Sequence, residues 1–382
     1  MGILLTSVYA VVALGCVFYH AQGEFHVRTI ILWPFLFFFV VYLILLQPFQ
    51  KRVNLLEKVA IPNEKKMNHF FDGYLIVSVL FILILGDSVL SSLRSGNWLS
   101  IYVKMRGEDA VFHHNLYEQI IINLTNYLRI PAVFYAFYVY AKGVKYKRKA
   151  LLLIIPFVNA FVWAVFMASR TELVVIGSIY LICYLLFLKK LSTSFKKRVV
   201  IIFSVMIVVA AAFIMAVSSS RFGENETSWY ASYFGESFIV AHNTIGFTDV
   251  FSQGSYVARP FYTMLGMRIT PYHCPIDDGV AFHTLIAMRY ADFGLIGTVL
   301  YAVFSAVIFC RMLKKKKIRL GDVYLLLYFF NVLFIGVFYD NANALSWLIV
   351  LFFSLILNYL SKKYESTGSN SVLSASISSH KA

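Results

Sequence analysis

Charge is scarce in this chain, and cysteine scarcer. Of 382 residues only 14% are Asp, Glu, Lys or Arg, and four are cysteine. Soluble domains carry about 25% charged residues, so an ordinary water-soluble protein is excluded. The cysteines build neither a disulfide framework nor a metal spacing: Cys16, Cys183 and Cys310 fall in apolar runs, and Cys274 alone lies in a polar segment. Strict period-two alternation is missing, which excludes a transmembrane β-barrel. No internal repeat is visible, nor any HExxH, Walker or DxD-like pattern. Acidic residues are few, 19 against 34 Lys and Arg.

What is present is apolar. Hydrophobic residues make up 60% of the chain, and mean hydropathy is +0.73. Ten apolar runs lie near residues 3–20, 29–47, 74–93, 119–141, 150–168, 172–188, 199–217, 290–310, 321–339 and 343–361. Most match the ~20 helical residues needed to cross a hydrocarbon core of about 30 Å. Unpaired backbone in lipid is too costly for anything but helix here. The expected fold is therefore an all-α polytopic bundle of ten transmembrane helices.

The basic residues sort sharply against these spans. Loops 48–73, 141–149, 189–198 and 311–319, with the C-terminal tail, hold 24 of them, and the opposite face holds nine. Lys- and Arg-rich short loops stay in the cytoplasm, so both termini are expected there. The surplus of positive charge is thus a topology signal, and a nucleic-acid partner is not expected. Met1-Gly2 with Thr6 fits a loose myristoylation pattern, but the same residues open a run that inserts by itself. No positive side chain precedes Val8, which argues against a cleaved signal peptide.

One segment departs from a bare bundle. Residues 1–217 hold seven spans and 290–361 three, and between them residues 218–289 form an outer loop of unusual length. The tail, 362–382, is expected to be disordered. The long loop is rich in aromatics, including Trp229, Tyr233 and Phe238, unlike disordered sequence. Its stretches 228–247 and 256–268 read as helices lying on the membrane or dipping into it.

Eight of the nine outer basic residues are arginine, whereas the inner loops favour lysine. Retention needs only charge; a planar fork of donors suits phosphate or carboxylate. Arg170 occupies a tight turn, Ala168-Ser169-Arg170-Thr171-Glu172, between two spans. Arg221 follows a span directly, and Arg289 precedes one, so all three are expected at one membrane depth, where a lipid-linked phosphate lies. The competing reading is that such arginines snorkel to ordinary headgroups. For proton transfer the long loop offers His242, His273 and His283, with Glu236, Asp249 and the Asp277-Asp278 pair, which reads equally as a turn. Arg129, inside a span, is a functional candidate by its cost alone, and Pro131 beside it suggests a kink.

With these residues in hand, the chain resembles the Wzy-type O-antigen or oligosaccharide repeat unit polymerases. The resemblance rests on Ser169-Arg170, on Ser219-Ser220-Arg221-Phe222, on Tyr233-Phe234-Gly235-Glu236-Ser237-Phe238, and on Phe282-His283-Thr284 leading into Tyr290-Ala291-Asp292-Phe293-Gly294-Leu295-Ile296-Gly297. It implies a GT-C-like glycosyltransferase of the bacterial inner membrane. Such an enzyme joins undecaprenyl-pyrophosphate-linked oligosaccharides on the periplasmic side, without metal or cofactor, and releases undecaprenyl pyrophosphate. In that reading Arg170, Arg221, Arg289 and Arg259 bind pyrophosphate, and His283, Asp278 or Glu236 takes the acceptor proton. Tyr233 and Trp229 stack on sugars, and Asp292 and Gly294 set the turn into the next helix. The bilayer and a chain-length regulator are the further candidate partners. An O-antigen ligase would use the same donor and the same logic, and a transporter or flippase is the alternative of a different class.

Overall fold

The computed structural model describes residues 1–21, 31–50, 55–61, 63–106, 115–222, 229–275, 284–338, 340 and 343–361. Among these the chain is helical and holds no strand. In order the helices are α1 (Gly2–Ala21), α2 (Leu32–Gln50), α3 (Leu55–Lys58), α4 (Glu64–Ser95), α5 (Trp98–Arg106), α6 (Leu116–Lys142) and α7 (Lys149–Phe166). There follow α8 (Thr171–Phe187), α9 (Thr193–Phe222), α10 (Trp229–Phe247), α11 (Arg259–Met264), α12 (Leu285–Lys314), α13 (Leu320–Ile335) and α14 (Ala344–Leu360). Each of the ten apolar runs coincides with one of these helices, α10 and α11 fall in the two stretches of the long segment expected to be helical, and α3 and α5 are additions.

Six helices, α2, α4, α6, α7, α9 and α12, are long and apolar enough to cross a membrane; α1, α8, α13 and α14 present shorter apolar stretches. The protein is a multi-pass helical membrane protein. The expected disordered tail, 362–382, lies outside the described residues.

Local signals set the helix ends. Asn115 and Glu118 cap α6 reciprocally, and the side chains of Thr284 and Asn343 cap α12 and α14. Gly96 and Gly143 close α4 and α6 at φ 61° and 67°, a left-handed geometry that glycine adopts without strain.

The lysine-rich loops gather at one end of the bundle. Ile318 bridges to Val59, Lys58 donates to the Leu313 carbonyl at 2.8 Å, and Arg148 pairs with Asp72 at 3.1 Å. Above them a large core joins α1, α2, α6, α8, α12 and α13 around Tyr135, Phe134, Phe137, Tyr324 and Phe329. A second core, toward the far end, packs Phe81 and Leu85 of α4, Trp98 of α5, Val165 and Phe166 of α7, and Phe213 and Val217 of α9.

The long segment after α9 does not stay on a surface. Helix α10 packs along α1, α2 and α12. Its Phe238 lies 4.8 Å from the ring of Phe38 and 6.5 Å from that of Tyr9, well inside the bundle. Helix α10 forms within the stretch expected to be helical, 228–247, and sets its aromatic face against α1 and α2, where aromatic pairs add to the packing. The 256–268 stretch is mostly not helix: only α11 forms, and Met264, Leu265 and Met267 stand exposed at its end.

Helix α12 is two helices in one. Gly294 at φ 65° and ψ −169° breaks it, in a region open almost only to glycine. The ring of Phe251 stands 3.6 Å from where a Cβ would be.

Candidate functional site

The turn between α7 and α8 is as tight as expected. Ser169 N–H donates to the Ala164 carbonyl at 2.8 Å, and Ala168 takes a positive φ of 45° to close it. From this turn Arg170 reaches to α9, where its Nη1 donates to Ser218 Oγ at 2.7 Å. The residue is only 6% exposed, so its side chain is turned into the protein.

Two positions on, Glu172 reaches the other way, to α6, and forms an ion pair with Arg129. This pair fixes the depth of the turn. Measured along α6, Arg129 is thirteen residues from the helix start at Leu116, about 20 Å. The carboxylate is the accessible partner, its side chain 23% exposed against 9% for Arg129. Arg129 commits Nη2 to Glu172, while its buried Nε and Nη1 meet no acceptor among the described residues, and the buried oxygens Thr125 Oγ1 and Asn126 Oδ1, a turn away, have no hydrogen-bond partner there either. Unmet buried polar atoms each cost about 1–3 kcal/mol, and concentrate where a structure has a use beyond stability.

Arg289 belongs to a different group of helices. It is 2% exposed, pairs with Asp340 at 3.0 Å and lies 3.9 Å from Asp292, with its guanidinium 5.4 Å from the centre of the Tyr301 ring. Asp292 in turn anchors the long segment. Its carboxylate accepts from Ser252 Oγ, from Tyr256 N–H at 3.1 Å and from Val257 N–H at 3.0 Å. Gly254, at φ 84°, lies against the Phe293 ring. The Asp292-Phe293-Gly294 motif is thus the joint at which α12 breaks and the 252–257 loop attaches.

The structure therefore brings Arg170 to Ser218 and Arg289 to Asp340, without a described contact between the two arginines. Arg221 lies on the last turn of α9, one turn beyond Ser218, with its side chain outside what is described; so are the side chains of Trp229, Tyr233 and Glu236 on α10. His283, Asp277 and Asp278 lie outside the described residues. Arg259 is exposed on α11, two residues after the Val257 amide that Asp292 holds.

Two of the histidines are committed. His242 is buried; its Nε2 accepts from Ile31 N–H at 2.9 Å, which leaves Nδ1 to donate to Asn243 Oδ1 at 3.0 Å. That is a satisfied neutral imidazole. His273 pairs with Asp249 at 2.7 Å on the surface and holds that carboxyl below its ordinary range through the hydrogen bond. Sequence reasoning missed the pairing of Glu172 with Arg129. The signal was a lone charge in an apolar run, whose partner had to come from another helix.

Among the described residues no group of three His, Cys, Asp or Glu comes together as a metal site. A cavity of about 630 Å³ opens at the lysine-rich end, lined by Met1, Thr6, Phe49, Leu55 and Leu313, away from every one of these arginines.

The fold and this site define a multi-pass helical membrane protein with buried, partnered arginines inside the bundle. Comparison with family models, with curated proteins and with solved structures finds no match to the chain.

Proposed function

We propose that the protein is a membrane glycosyltransferase that polymerises oligosaccharide repeat units carried on a polyprenyl pyrophosphate. In this reading all ten apolar helices cross the bilayer in a GT-C-like arrangement, with the lysine-rich end and both termini in the cytoplasm of a bacterial inner membrane. The arginine end then faces the periplasm.

The observation that carries the reading is the inward turn of Arg170 from a loop set deep in the bundle. A snorkelling arginine extends to the interface; this one is buried beside a serine, with Arg221 a turn further along the same helix. A departing pyrophosphate needs fixed donors where its charge develops, and a guanidinium fork in a water-poor site is the strongest such group without metal. Arg170 and Arg221 are assigned to that role. Arg289, already matched by Asp340 and Asp292, is assigned to holding the long segment over the site.

The test is to supply purified protein in lipid with a polyprenyl-pyrophosphate-linked repeat unit and chelator, and to look for laddered products. Arg170→Ala should abolish the ladder, and a full ladder from that variant would remove Arg170 from the mechanism. A transporter is the second reading, favoured by the Arg129–Glu172 pair within the helices. It predicts movement of substrate across vesicles with no change in its length.

A further inference from the structure

Resting on the reading above, the geometry points to Glu172 as the catalytic residue that takes the acceptor proton, with Arg129 as its positioning residue. Positions 170 and 172 stand about 200° apart around the start of α8. Arg170 accordingly reaches α9, and Glu172 reaches α6. In-line displacement at a sugar carbon requires the same division, with the departing phosphate on one face and the incoming hydroxyl on the other. A sugar seated over the start of α8 would have a cation on its leaving side and a carboxylate on its attacking side.

The carboxylate is also prepared for the task. Its Oε2 is bound to Arg129, which fixes the plane of the group, and its Oε1 carries no described partner. It is the exposed member of the pair. Arg129 is oriented by a buried helix and keeps two donors uncommitted, so it can follow a change of charge on Glu172 without losing its place. A purely structural pair would gain nothing from those orphan donors, and apolar residues of like volume often do as well.

In the step itself, the acceptor hydroxyl oxygen forms a bond to the anomeric carbon of the donor sugar. The bond from that carbon to the phosphate oxygen breaks, and its electron pair leaves on the pyrophosphate toward Arg170. The hydroxyl proton passes to Glu172 Oε1 and afterwards to water.

The test uses the full chain in lipid, with the lipid-linked repeat unit as probe and three proteins: wild type, Glu172→Gln, and Arg129→Met with Glu172→Gln. Glu172→Gln should lower kcat about 100-fold or more, the ordinary range for loss of a general base. KM should change little, and the acid limb of the pH profile should disappear. The double variant removes both charges, so it should recover thermal stability lost by the single variant yet remain inactive. Recovery of activity in the double variant would make the pair structural and overturn the inference, as would Glu172→Gln within tenfold of wild type. If wild-type protein forms no ladder, the polymerase reading falls and takes this inference with it; a wild-type ladder separates the two failures.

Discussion

The lysine-rich end of the bundle and its interior handle positive charge in opposite ways. At the lysine-rich end the cations stay wet: Arg148 and Lys315, paired with Asp72 and Asp322, keep about half of their side-chain surface, 53% and 52%. Inside the bundle Arg129 and Arg289 keep 9% and 3%, and each has a carboxylate of its own. Water does the work at the first end, so the sequence there need only be basic. Inside the bundle each guanidinium must be matched by a group that the fold places beside it, since an unmatched buried charge costs several kcal/mol. Charge that only sets topology can be moved along its loop, whereas charge that is buried and matched cannot.

The contrast can be broken most directly at Arg289. Arg289→Met takes the guanidinium counter-charge away from Asp340 and Asp292 and should cost about 3–5 kcal/mol in reversible unfolding; a loss as small as that at a surface pair would erase the distinction. Next is Asp292→Ala, which leaves the amides of Tyr256 and Val257 without an acceptor. About 3 kcal/mol of local stability should go, read as faster proteolysis within 248–275 while the helices stay intact. Gly294→Ala forces a side chain into a glycine-only conformation against Phe251 and should cost about 1–3 kcal/mol, measured by thermal unfolding in lipid.

At the wet end, Arg148→Ala should change stability by no more than about 1 kcal/mol, an effect that salt further reduces. The smallest effect is expected at Asp249. Its carboxyl is lowered from an ordinary value of 3.8 by His273. What the ionised group contributes is complete above about pH 4 and is lost as pH falls through the lowered value. Protection of the His273 amide, which bonds the Val250 carbonyl, should therefore fall with acid in the wild type and be insensitive to acid in Asp249→Asn.

Much of the fold was legible because hydropathy is a local property. The run at 119–141 becomes α6, and the turn at 168–171 is where Ala168-Ser169-Arg170-Thr171 suggests. Span ends were less so: α9 runs to Phe222 and α12 starts at Leu285, each several residues beyond its apolar run, because backbone hydrogen bonding continues a helix past the end of the hydropathy signal. In the long segment the stretch 228–247 was expected to be helical and α10 forms there, but that its Phe238 would pack against Phe38 and Tyr9 depended on how α1 and α2 are placed. In the motif at 290–297 the glycine suggested a turn; that the turn would split a helix and let Asp292 hold a loop some forty residues earlier did not follow from spacing.

By itself the sequence determined that this chain lives in a bilayer as helices, and which loops share an end, because dehydration of the backbone and the cost of moving lysine are paid residue by residue. Only the tertiary structure decided which charge answers which. Arg129 meets Glu172 across 43 residues, Arg170 meets Ser218 across 48, and Arg289 meets Asp340 across 51. Those pairings depend on the rotation and depth of each helix against its neighbours, and these are set by packing, which no single helix contains.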